Sequence, residues 1–198
     1  MKSSENLVWI DCEMTGLDVE KDCLVEIAVL VTDSELNILD DGLSVVIKPR
    51  EDSLAGMGEF VTNMHKESGL LELLPEGLSL EEAQEQILEY VKKFAPEART
   101  APLAGNSIGT DRMFINRYMP VLDAHLHYRN VDVSSIKELV RRWYPKVYFQ
   151  LPKKSGGHRA LADIRESIAE LVYYRKTVLV EAPGPTSDEA KTSAQQTQ

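Results

Sequence analysis

The chain is short of several things, and each shortage narrows what it can be. Only two of its 198 residues are cysteine, Cys12 and Cys23. They form no CxxC pair and no zinc-like cluster with the four histidines, so a disulfide scaffold is not expected and buried, unreactive thiols are. Long apolar runs are missing too. The longest, residues 27–31, has five residues, against roughly 20 for a membrane span. No apolar signal-like stretch precedes Leu7, so the expectation is a cytoplasmic protein without a membrane partner. No internal repeat is apparent, and 198 residues suit one domain with a sizeable core.

Basic residues are also scarce: 22 Lys and Arg against 32 Asp and Glu, a formal net charge of −10. A protein that tracks long nucleic acids needs a broad basic surface, because phosphate neutralisation supplies most of the affinity. Here the basic charge is concentrated. Residues 5–85 hold 20 acidic and 4 basic side chains, a net of −16, whereas residues 129–159 hold 8 basic and 2 acidic, a net of +6. A nucleic-acid substrate, if there is one, should therefore be short.

What is present reads as an α/β domain. Residues 7–12 and 23–33 have the Val, Ile and Leu content of buried strands, and residues 36–48 carry a third strand beside the Asp40-Asp41-Gly42 turn. Short connections make these three an antiparallel meander. Residues 53–74 suit short helices. Ser79-Leu-Glu-Glu82 is a capping box opening a helix that ends near Pro96. A short strand at 102–104, a helix at 110–119 stopped by Pro120 and a strand at 131–133 follow. Ser135-Ile-Lys-Glu138 reads as a second capping box, for a helix stopped by Pro145. A basic, glycine-containing loop at 153–157 leads to a last helix from about Arg159 to Lys176. The expected architecture is a mixed sheet, a meander followed by alternating α and β, with helices on both faces. Residues 1–180 form the domain and 181–198, rich in Pro, Gly, Ser, Thr and Gln, a disordered tail.

The chemistry begins at Asp11-Cys-Glu13. Residues i and i+2 of a strand share a face, so both carboxylates point one way and Cys12 the other. Two such anions repel unless a cation compensates, and hard oxygen ligands suit Mg²⁺ or Mn²⁺. Asp111 in the first turn of a helix, Asp163 in the last helix and His158 five residues before it are each unremarkable alone. In order, however, Asp11 and Glu13, Asp111, and His158-Arg-Ala-Leu-Ala-Asp163 resemble the three motifs of the DEDDh exonucleases. Trp9-Ile-Asp-Cys-Glu-Met-Thr-Gly-Leu17, Pro102-Leu-Ala-Gly-Asn-Ser107, His127-Tyr-Arg129, Asp132-Val-Ser-Ser135 and Arg141-Arg-Trp-Tyr-Pro145 are similar to the oligoribonuclease branch. The likeness spans residues 7–177.

That resemblance implies a ribonuclease-H-like fold and a 3′-to-5′ exoribonuclease that hydrolyses very short oligoribonucleotides, of two to five residues and especially dinucleotides, to nucleoside 5′-monophosphates. It implies two divalent ions, Mg²⁺ or Mn²⁺, held by Asp11, Glu13, Asp111 and Asp163, with His158 as general base. It further implies Leu17 as a wedge against the bases, His65 beside the 3′ nucleotide, and Phe60 at a position where many relatives carry tryptophan. Ser107, Arg129, Ser134 and Ser135 would cap the 5′ phosphate, and a homodimer would bring Tyr128 from the partner subunit. Linear dinucleotides from cyclic di-GMP breakdown become candidate substrates. His125 and His127 lack further ligands and are expected to pack, and Trp143, Tyr144, Tyr148 and Phe149 suggest core and subunit interface. Two other readings stand beside this one. A proofreading-type deoxyribonuclease would share the motifs but not the His127-Tyr-Arg129 signature. A nucleotide-binding scaffold without activity would not need five intact catalytic positions.

Overall fold

The computed structural model describes residues 5–152 and 159–197. Its centre is a five-stranded mixed sheet in the order β3-β2-β1-β4-β5. Strand β1 (Leu7–Met14) pairs antiparallel with β2 (Leu24–Thr32), and β2 antiparallel with β3 (Leu43–Val46). On its other side β1 runs parallel to β4 (Pro102–Gly105), which runs parallel to β5 (His127–Asp132). The helices, in chain order, are α1 (Glu51–Ala55), α2 (Glu59–Glu67), α3 (Leu70–Leu73), α4 (Leu80–Phe94), α5 (Gly109–Tyr118) and α6 (Pro120–His125). They continue with α7 (Val133–Trp143), α8 (Pro145–Tyr148), α9 (Ala160–Thr177) and α10 (Ser187–Gln196). This is the meander followed by alternating elements that the pattern predicts, and it is ribonuclease-H-like.

The side-chain alternation of β1 divides the core in two. Val8, Ile10 and Cys12 face a cluster with Ile27, Val29 and Val31 of β2, Ile87 and Val91 of α4, and Phe114 and Ile115 of α5. Trp9 faces the opposite way, with Ala28 and Leu30 of β2, Val133 and Val140 of α7, and Ile164, Ile168 and Tyr174 of α9. Strand β2 is buried along its whole length, as a strand with helices on both faces must be. The Trp9 indole keeps its hydrogen bond by donating to Thr32 Oγ1 at 3.0 Å, which satisfies the one polar atom of the largest core side chain. Because Asp11 and Glu13 continue the Trp9 face, they lie on the α9 side, while Cys12 is packed in the other layer. Both cysteines are buried and unbridged, and burial pushes the Cys12 thiol well up from its ordinary range.

Local signals were followed in some places and overruled in others. Ser79 and Glu82 form the reciprocal capping box at the start of α4. The box expected at Ser135 is not the start of α7; that helix begins three residues earlier than the box implies, capped by Asp132, whose carboxylate accepts from the Ser134 amide at 2.9 Å. Pro120 and Pro145 stop a helix as expected, but each also occupies the first position of a new short one, where a missing N–H costs nothing. Residues 181–198 carry helix α10, opened by a Thr186–Glu189 capping box and burying none of its residues. The run after the cap is free of Gly and Pro, so no residue in it opposes the helix, where composition alone suggests disorder. Among the described residues no helix is long and apolar enough to cross a membrane.

Candidate active site

Three carboxylates converge where β1 meets the first turn of α9. Oxygen atoms of Asp11, Glu13 and Asp163 lie within 4.8 Å of one another. Strand geometry supplies the first two, and α9, packed across β1 and β2, supplies the third. Asp111 approaches from the first turn of α5 and is buried; its Oδ1 accepts the Cys12 amide at 2.9 Å, which ties α5 to the strand between the two acids.

The electrostatics of this cluster are those of a cation site. Burial, then repulsion from Asp111, Glu13, Asp163 and Glu26, pushes the Asp11 carboxyl up to about 9. Burial and then Asp163, Glu26 and Asp111 push Glu13 up to about 8, with Arg159 pulling the other way. Burial raises Asp111 to about 7 against the opposing pull of the Cys12 amide. A divalent cation with oxygen ligands is the natural counterpart of such a cluster, so the residues present fit the metal that the sequence pattern calls for.

Close by lies a half-buried ion pair that no sequence motif signals. Glu26 sits opposite Glu13 in the β1–β2 register and is buried. Arg159 reaches it from just before α9 with Nη2 at 3.0 Å and Nε at 3.3 Å, and Ser44 Oγ donates to it at 2.6 Å. The partners are 133 residues apart, and only the packing of α9 on the meander reveals them. The pair fixes the start of α9, and hence Asp163, against the strands that carry the other acids.

The remaining expected site residues are distributed as follows. Leu17 and Phe60 are 75% and 80% exposed, so neither belongs to the core. The loop carrying Leu17 is held by Asp22, whose carboxylate accepts from Thr15 Oγ1 and the Asp18 amide, both at 2.9 Å. A side chain at Gly16 would collide with that carboxylate at 2.4 Å. His65 is fully buried rather than presented at the surface. Its Nε2 pairs with the Met14 carbonyl at 2.8 Å, and its Nδ1 lies 3.9 Å from Glu13 Oε2. A carbonyl only accepts, so Nε2 carries the proton and the ring braces the Glu13 end of β1. Ser107, Arg129 and Ser135 are exposed, and Ser134 is partly so. Tyr128 stands on the edge strand β5, 74% exposed, between the His127 ring and the Arg129 guanidinium. His125 is buried with Nε2 on the Ala95 carbonyl, a packing role. His158 and the basic loop at 153–157 lie outside the described residues.

Comparison with known proteins decides the family. A model described as Exonuclease matches residues 8–171. A protein named Oligoribonuclease from Leifsonia xyli subsp. xyli is 65% identical over 192 residues, covering 97% of this chain and 93% of the relative. Another of that name from Streptomyces coelicolor is 58% identical, covering 96% of each. The chain belongs to the oligoribonuclease family. It is a nuclease. Among solved structures, E. coli exonuclease I in complex with a dA16 oligonucleotide matches with a TM-score of 0.67 at 16% identity, covering 88% of this chain. The zinc-bound exonuclease I complex with single-stranded DNA matches with a TM-score of 0.66. This chain spans only 41% of the length of those structures, and at that identity they share with oligoribonucleases the fold alone.

Proposed function

We propose that the protein is a 3′-to-5′ exoribonuclease that degrades very short oligoribonucleotides, dinucleotides above all, to nucleoside 5′-monophosphates. The observation that carries this reading is the convergence of Asp11, Glu13 and Asp163 on one point, in a chain so similar to oligoribonucleases. Asp11, Glu13, Asp111 and Asp163 would hold two divalent ions, Mg²⁺ or Mn²⁺. The chemistry such ions supply when bound is Lewis-acid polarisation of the scissile phosphate and neutralisation of developing charge. His158 takes a proton from the attacking water as its oxygen bonds to phosphorus; the bond from phosphorus to the 3′ oxygen of the preceding nucleotide breaks, that oxygen picks up a proton from solvent, and the 3′-terminal nucleoside 5′-monophosphate is released. A near-neutral intrinsic pKa suits histidine to that task.

Leu17 wedges against the bases as an apolar contact, and Phe60 stacks on them, since every base offers a π-face. Ser107, Arg129 and Ser135 cap the 5′ phosphate, with Ser134 behind them, because Arg129 can bind it through a planar fork and the α7 N-terminus favours an anion. A cap at the 5′ end makes a dinucleotide the best fit and explains why so little basic surface is needed; linear dinucleotides released from cyclic di-GMP meet the same requirement. A homodimer brings Tyr128 across from the partner. Supporting this are the exposed edge strand and the exposed Trp143 and Phe149 nearby in sequence. The decisive comparison is turnover of matched ribo- and deoxyribodinucleotides with Mg²⁺ and with excess EDTA, for the native protein and for His158→Ala. The expected outcome is metal-dependent release of nucleoside 5′-monophosphate, faster from RNA, with a loss of about 10²–10⁴-fold in the variant. Undiminished turnover in EDTA would overturn the metal mechanism.

A further inference from the structure

One oxygen atom organises the turn that carries Ser107. Asp132 Oδ1 accepts the Ser107 amide at 3.1 Å, the Ser134 amide at 2.9 Å and the Ser134 hydroxyl at 2.6 Å. The Ser107 amide also reaches Ser134 Oγ at 3.2 Å. Ser107 itself has a positive φ of 51°, a left-handed conformation that residues other than glycine rarely adopt unless their surroundings impose it. The neighbouring Asn106 is fixed from the opposite side, its Nδ2 donating to Ser167 Oγ at 2.9 Å and to the buried Glu170 at 3.3 Å. Residues 106 and 107 are thus clamped between the N-terminus of α7 and the middle of α9.

These bonds also show what each serine has left to offer. The Ser134 hydroxyl gives its proton to Asp132, and its lone pairs face the Ser107 amide. The Ser107 side chain is exposed, and among the described residues no side-chain bond that holds the turn engages its hydroxyl. We propose that Asp132 is a positioning residue that sets the preference for short substrates: directly at the Ser107 amide and again through Ser134, it locks Ser107 in the left-handed conformation and so holds the Ser107 hydroxyl ready for the 5′ phosphate. This rests on the reading of Ser107 as part of the phosphate cap. The device works by acceptor geometry, not by charge, since a carboxylate beside a phosphate is electrostatically unfavourable.

That distinction supplies the test. Kinetics on 5′-phosphorylated ribonucleotides of two and five residues would be compared for the native protein, Asp132→Asn and Asp132→Ala. Asparagine keeps the acceptor oxygen and loses the charge; alanine loses both. Asp132→Asn should keep the dinucleotide KM within about threefold of native, whereas Asp132→Ala should raise it about tenfold or more, the scale of losing one or two hydrogen bonds. The kcat at saturation should stay within a few-fold, and the preference for two residues over five should shrink. Should Asp132→Ala fold poorly, Ser134→Ala removes the Ser134 arm while keeping the helix cap and the direct bond to the Ser107 amide, and a smaller KM rise confined to the dinucleotide is expected of it. Native KM and native length preference in both alanine variants would overturn the proposal, as would a loss in Asp132→Asn equal to that in Asp132→Ala. A native protein without any preference for two residues would instead overturn the cap itself, which separates the two failures.

Discussion

Replacing Asp11 by asparagine should abolish turnover and yet stabilise the metal-free protein at pH 8. The carboxyl is pushed from 3.8 in an unperturbed chain to about 9 by burial and by four neighbouring acids. The sign follows from which state holds the proton. Below about pH 4 both folded and unfolded chains are protonated here and the cluster costs nothing. As pH rises towards 9 the unfolded chain releases its proton freely while the folded one retains it, so stability falls throughout that window. At about 1.4 kcal/mol per pKa unit, the full shift would amount to roughly 7 kcal/mol. Asp11 is only partly covered, and water on its open side reduces this to about 2–4 kcal/mol. Each kcal/mol moves the melting temperature of a domain this size by about 2–4 °C. In EDTA at pH 8 the variant should therefore melt about 5–15 °C above the native protein, with the gap shrinking towards pH 5. Calorimetry from pH 5 to 9, with and without Mg²⁺, checks this; added metal should raise the native melting point and leave the variant nearly unmoved. Equal melting points across the range in EDTA, or a gap that widens towards acid, would refute the reasoning.

Two further outcomes follow from the same geometry. Arg159→Met leaves the buried Glu26 without its main partner and, the guanidinium being itself partly exposed, should cost about 1–2 kcal/mol, whereas the double variant Glu26→Gln with Arg159→Met should recover part of that loss in chemical denaturation. Mixed dimers of Asp163→Asn and Tyr128→Ala should regain activity above either variant alone if the tyrosine acts across a two-fold interface, since one site then has intact metal ligands and a native ring in trans; no recovery in demonstrated mixed dimers would place Tyr128 in its own site or in none.

How much of this was legible in the sequence depends on the distance over which each signal acts. The period-two pattern of β1 places Asp11 and Glu13 together and Cys12 apart, and the structure has them so. The three-strand meander and the order of later elements were equally local. The start of α7 was not, because two cap signals overlap: Ser135 with Glu138, and Asp132 with Ser134. Asp132 prevails since its carboxylate satisfies the Ser107 amide as well, a contact 25 residues away. The Glu26–Arg159 pair and the burial of His65 against Glu13 belong to the same class. Each depends on elements brought together only by the sheet order, so neither spacing nor composition announces it. The helix in the tail was missed for the opposite reason: a local cap was present at Thr186, and the surrounding composition obscured it.

A metal-dependent exonuclease whose site is closed at the 5′ end must discriminate by length. Following 5′-labelled oligoribonucleotides of two to ten residues with Mg²⁺ under single-turnover conditions measures that discrimination. The dinucleotide should show the highest kcat/KM, with a steep fall over the next few lengths and labelled products shortened one nucleotide at a time from the 3′ end. Equal efficiency at two and ten residues, or label released first as the 5′ mononucleotide from long substrates, would contradict it.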